Sequence, residues 1–231
     1  ETQILGSIQN TLYWDQNTLM PKKGSTWRAE QLTYLAKTLH ERNSSDYFAD
    51  LIKSAEDEIN NFDTKKVADF KSKLKNIELL NKELDRQRKI DPKLVTLLAK
   101  AKSKGYESWQ QAKADSDYEV FLPHFKELIN LRIEEANQIS NALTPWETLA
   151  QPYEPDITKE WLLKMFLPLK VIIPNLLDDI KQEKFINWDI TSSSQKKLCT
   201  KLLHEFGRDP ELLAIAESPH PFSITLGPRD F

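Results

Sequence analysis

The sequence predicts an all-α protein built mainly of long antiparallel helices, with one short strand-like run near its C-terminus. Three observations carry that prediction. Glycine is scarce, five residues in 231, while 29% of the chain is charged, a composition suited to solvated helices. Apolar residues recur three and four apart through most of the chain. Helix start and stop signals punctuate that rhythm, and the connections between them are short, as in helical bundles.

Taken in order, residues 2–18 form the first helix (Ile4, Leu5, Ile8, Leu12, Tyr13), closing near Met20-Pro21. Trp14 within it reads as a core anchor and Asp15 as a helix-end carboxylate. Gly24-Ser25 precedes a second helix with Leu32, Leu35, Ala36 and Leu39 on one face, and Ser45-Asp46 opens a third with Phe48, Leu51, Ile52 and Ala55 inward. Asp63 is placed to cap a fourth, stepping through Val67, Phe70, Leu74, Ile77, Leu80 and Leu84. Asp91-Pro92 supplies an N-cap and a proline at the first helical position, so a fifth helix starts there. Gly105 is expected to interrupt it before Tyr106 and Trp109. Ser116-x-x-Glu119 reads as a capping box for a sixth helix running through Phe121, Phe125, Leu128, Ile133 and Ala136.

From Asn141 to Pro155 the rhythm loosens into a linker with one helical turn at 146–150. Thr158 caps a further helix bearing Trp161, Leu162, Phe166, Leu169, Ile172 and Ile173. Pro168 and Pro174 fall inside it, and an interior proline costs about 3 kcal/mol, so a kink or break is expected. A loop follows around Phe185–Trp188. Ser192-x-x-Gln195 opens the last helix (Leu198, Leu202, Leu203, Phe206), which Gly207 stops. The domain picture is one helical region over 1–231, with a bundle to about 140, a linker over about 141–157 and kinked helices beyond.

The last fourteen residues, Ser218 to Phe231, differ in character. Pro219 and Pro221 bracket His220 and restrict the residues before them to extended conformations. Phe222, Ile224, Thr225 and Leu226 have strand character, and Gly227-Pro228 is a turn.

Net charge is −3, so no global field selects nucleic acid or an anionic membrane. Locally, Asp63 to Lys104 holds thirteen Lys or Arg against six Asp or Glu. With Phe70 its one aromatic after Thr64, this segment makes a poor stacking platform for single strands, and it reads as a solvated face. No apolar run is long enough to span a bilayer. The single cysteine, Cys199, excludes an internal disulfide framework and suits the cytoplasm; its place on a helix's apolar side reads as core.

The inventory contains no complete active site. His-Glu occurs twice, at His40-Glu41 and His204-Glu205, but Ser44 and Arg208 stand where the second histidine of H-E-x-x-H would be, so both pairs read as helix surface. Adjacent carboxylates such as Glu134-Glu135 and Asp178-Asp179 point apart and read as solvation.

These motifs carry a resemblance. Tyr13-Trp-Asp-Gln-Asn-Thr-Leu-Met-Pro21, Arg28-Ala-Glu-Gln-Leu32, Leu39-His-Glu41, Trp109-x-x-Ala112-Lys113, Asp117-Tyr-Glu-Val-Phe121, Tyr153-Glu-Pro155 and above all His220-Pro221-Phe222 resemble the N-terminal part of the Taq-type metallocarboxypeptidases. Asp156 departs from that pattern, which often has glycine there. The resemblance implies a neurolysin-like, channel-forming helical fold and an enzyme that removes C-terminal residues from peptides. It further implies zinc held by two histidines and a glutamate, with the H-E-x-x-H glutamate taking a proton from the bound water. Those ligands belong to motifs not present in the 231 residues, so the chain is expected to be a fragment that is inactive alone. His220, Pro221 and Phe222 are implied substrate-binding residues, His220 as a donor to substrate or oxyanion. Asp230 would open the family's D-x-R-x-T motif and orient its arginine. Implied partners are peptides and a second copy of the chain, since the family dimerises. A non-catalytic helical module that binds peptides or a protein is the alternative.

Overall fold

The computed structural model describes residues 1–61, 69–179 and 189–227. Asp63, Val67, the loop at 185–188, Pro228, Asp230 and Phe231, all invoked above, lie outside them. The described residues form nine α-helices: α1 (Thr2–Asn17), α2 (Ser25–Asn43), α3 (Asp46–Asn61), α4 (Phe70–Lys89), α5 (Pro92–Asp115), α6 (Leu122–Ile139), α7 (Pro145–Ala150), α8 (Lys159–Asp179) and α9 (Ser192–Glu205). No strand forms among them. The run at 221–226 is irregular, with a single bridge residue at Gly227.

Several starts follow the sequence signals. Asp91 caps α5 by accepting from the Lys93 N–H, with Pro92 at the first position, and Ser45 Oγ accepts from the Phe48 N–H at the start of α3. Gly207 stops α9 at φ +69°, where glycine carries no Cβ penalty.

Others differ. Ser116 closes α5 in the left-handed region at φ 54°, and Asp117 caps a 3-10 turn over Tyr118–Val120. Helix α6 therefore begins at Leu122 with Pro123 in its first turn, and the expected Ser116-Glu119 box does not form. Thr191, one residue ahead of Ser192, caps α9 by accepting from Ser194. Gly105 sits buried within an unbroken α5. Helix α8 runs through both Pro168 and Pro174.

The core sits in the first two thirds of the chain. Helix α2 packs most extensively on α5, and α5 on α6. Ile52, Ile77 and Leu84 close the seam between α3 and α4, with Phe48, Ala55 and Ile59 around them. Ile90, Leu94 and Leu98 pack against Leu128, Leu131 and Ile139 of α6. Leu32 and Ala136 are fully buried. Within the expected apolar faces, Leu51, Leu80 and Ile133 are exposed. Neither α8 nor α9 has a buried residue among those described, so Cys199 is exposed rather than core: no described residue buries its side of α9.

Two polar readings are also corrected. His40 is buried, and its Nδ1 lies 2.9 Å from Gln87 Oε1, so it is an interior link between α2 and α4 and not a surface pair with Glu41. Glu135 is buried and paired with Arg132 one turn away, on a depression it shares with Arg86 of α4 and Leu149 of α7, whereas Glu134 is exposed.

Candidate substrate-binding turn

Residues 218–222 form a bend on the surface, closed by bonds of its own. Ser218 Oγ donates to the His220 carbonyl at 2.9 Å. His220 Nδ1 lies 2.8 Å from the Pro221 carbonyl oxygen. A carbonyl can only accept, so this bond places a proton on Nδ1; a neutral ring then presents Nε2 as an acceptor, and only the imidazolium donates from both nitrogens. That refines the donor role expected of His220. His220 and Pro221 are exposed, and Phe222 is 41% exposed, so its ring is not part of the core.

Two helices fasten the bend. Lys113, in the last turn of α5, donates from Nζ to the Pro219 carbonyl at 2.6 Å. The same ammonium lies 5.3 Å from the centre of the Trp109 ring, within cation–π range. Trp109 in turn meets the His220 ring edge-on, centroids 6.2 Å apart and planes at 66°, and contacts Tyr106 behind it at 5.7 Å. Four residues apart on a helix, Trp109 and Lys113 share a face. Further along, Asn10 Nδ2 of α1 donates to the Thr225 carbonyl at 2.8 Å. Pro219 and Pro221 have no N–H, so the bend is held through its carbonyls and its imidazole.

The opening motif is tied down separately. Arg28, its side chain 11% exposed, pairs with Asp15 at 2.6 Å and also donates to the Leu12 carbonyl and to Gln31 Oε1. Asp15 is thus a partner of α2 as well as a helix-end residue, since its carbonyl accepts from Thr18, Leu19 and Met20.

The four histidines do not come together. His40 is turned inward on Gln87, His204 and His220 are exposed on separate segments, and His124 lies on α6. Among the described residues no three His, Cys, Asp or Glu side chains are placed to hold a metal ion. A depression of about 330 Å³ lined by Arg86, Arg132, Glu135 and Tyr153 involves no residue of the bend.

The family model of the carboxypeptidase Taq (M32) metallopeptidases matches residues 1–231. The chain belongs to that family. The M32 chain is 29% identical over 247 residues to thermostable carboxypeptidase 1 of Thermus thermophilus, covering 100% of this chain and 47% of that protein. It is 28% identical over 231 residues to carboxypeptidase 1 of Bacillus subtilis, covering 95% and 44%. It superposes on the crystal structure of BsuCP with a TM-score of 0.88 at 26% identity, over 99% of this chain and 46% of that one. The M32 chain therefore spans about half the length of the relatives it matches, and the largely helical fold is that of the family.

In the sequence Trp109 and Lys113 read as helical residues with no link to the bend. Their i,i+4 spacing signals a shared face, but their link to Pro219 spans 106 residues, which periodicity cannot register. The structure brings His220 to them. Phe222 lies on the surface, and Asp230 lies outside the described residues.

Proposed function

We propose that this chain forms the N-terminal part of a zinc-dependent carboxypeptidase that releases C-terminal residues from peptides in the cytoplasm, and that it is inactive by itself. The observation that carries the reading is the family match along the whole chain, with its His-Pro-Phe segment held as an exposed bend on α5.

In this reading His220, Pro221 and Phe222 border the peptide. The imidazole offers a polar contact through Nε2, and the Phe222 ring offers an apolar wall. Asp230 orients an arginine of the following motif, which suits recognition of a terminal carboxylate. In this reading the metal is held by the family's H-E-x-x-H motif and its further glutamate, a motif that these 231 residues do not contain. The bare apolar faces of α8 and α9 fit a protein whose remaining half packs there. The reading includes a homo-oligomer, a dimer as the family resemblance implies, and no nucleic-acid or membrane partner. Separately, no described helix is long and apolar enough to cross a bilayer.

The test uses equimolar zinc and a peptide with a free C-terminus. The chain alone is expected to retain no stoichiometric zinc after dialysis and to release no C-terminal residue, whereas a family-length polypeptide containing it does both. Zinc retention with hydrolysis by the chain alone overturns the proposal.

A further inference from the structure

We propose that Lys113 and Trp109 are positioning residues that set the direction of the His220 ring, an inference resting on the reading that the 218–222 bend borders the peptide. The bend cannot set that direction itself. Its two described internal bonds, Ser218 to the His220 carbonyl and His220 to the Pro221 carbonyl, move with it as a unit. Both prolines lack the N–H that would tie them to a neighbouring backbone. What joins the unit to the helices on its His220 side is the Lys113–Pro219 hydrogen bond at 2.6 Å and the edge-on contact of His220 with Trp109 at 6.2 Å.

These two contacts act as one device. The Lys113 ammonium lies over the Trp109 ring, so the ring that meets His220 also fixes the cation that holds Pro219. A charged donor on a carbonyl forms a short, strong hydrogen bond, and the helix supplies both groups from one face. Asn10 on α1 holds Thr225 on the far side, so losing Lys113 leaves the bend anchored at one end and free to swing at the histidine. Lysine is not unique in this role: arginine donates to a carbonyl and stacks on an aromatic face as well. A methionine of similar length does neither.

The experiment has two arms. In this chain, the His220 ring protons are followed by carbon–proton correlation NMR. Their resonances are expected to be displaced by the Trp109 ring current and to move toward random-coil positions in Trp109→Leu and Lys113→Met, while Lys113→Arg retains the displacement. Lys113 is exposed, so its variants test the proposal without disturbing the core. In a family-length polypeptide, Lys113→Met is expected to lower kcat/KM by about tenfold to a hundredfold, and Lys113→Arg to stay within about threefold of wild type, as befits misplacement of a positioned group. Unmoved His220 resonances in Lys113→Met overturn the proposal, as does unchanged kcat/KM with the ring released. If the wild-type polypeptide releases no C-terminal residues, the functional reading falls, and the NMR arm still decides whether Lys113 and Trp109 hold the ring.

Discussion

Asp156 adopts φ +65°, a conformation that costs most L-residues roughly 1–2 kcal/mol and aspartate somewhat less. The residue stays there because its N–H donates to Gln151 Oε1 at 2.9 Å, which draws the chain back onto the end of α7. Glycine keeps that N–H and removes the clash of Cβ with backbone, at the expense of a more disordered unfolded state. Asp156→Gly is therefore expected to stabilise the chain by about 0.5–1 kcal/mol, read as a higher urea midpoint with unchanged slope. A lowered midpoint would mean that the aspartate side chain contributes more than its backbone costs. The glycine that the resemblance implies at this position would meet the same backbone requirement, whereas Ser116 at φ 54° carries no such sign in the sequence, because a serine beside Asp117 looks like the start of a helix. The proline-bracketed bend at His220 was legible in the sequence; the groups that hold it were legible as a helix and nothing more.

At the level of elements, the joint between α7 and α8 depends on one carboxylate. Thr144 and Glu147 form a full capping box on α7, and the same Glu147 also accepts from the Lys159 N–H at 3.0 Å, at the start of α8. The Lys159 backbone bond, followed by the Thr144 hydroxyl and N–H, holds the Glu147 carboxyl below its ordinary value of 4.5. A folded-state value below the unfolded one gives stability that is present above the ordinary value and is lost as pH falls toward the folded one. Acidification through and below about pH 4.5 should thus loosen the joint, and Glu147→Gln should lower stability at neutral pH while flattening this acid limb. Thermal midpoints from neutral to acid pH check this; parallel curves for the two proteins would count against it. The box Thr144-Pro-Trp-Glu147 was written in a stretch read as linker, where looser apolar spacing outweighed a sound capping signal. Elsewhere the helices were legible because spacing and caps agreed, as at Asp91-Pro92. The interior prolines, by contrast, do not end their helix. Pro168 and Pro174 leave the carbonyls of Lys164 and Lys170 without their i+4 donors, but both lysines are on the exposed surface, where water can serve those carbonyls, so α8 continues.

For the whole molecule, the distribution of apolar surface decides behaviour. Helices α2 to α6 bury their faces on one another, but α8 presents Trp161, Leu167, Val171, Ile172, Leu176 and Leu177 at 48% exposure or more, and Phe206 beyond α9 is 75% exposed. Monomeric proteins rarely leave contiguous apolar patches beyond a few hundred Å², and each buried methylene returns about 0.8 kcal/mol, so such a helix gains by covering itself. The sequence showed the apolar character of this helix but not its bareness, since periodicity reports a face and says nothing of what packs against it. The isolated chain is therefore expected to self-associate, with scattering mass rising as concentration rises. Leu167→Glu with Val171→Lys puts an i,i+4 ion pair on that surface in the favourable order and should shift association to higher concentration without loss of helix signal. A wild-type chain that stays a monodisperse monomer at high concentration would show that the α8 surface is covered in solution by a rearrangement of this chain, and the packing described for α8 and α9 would have to be revised.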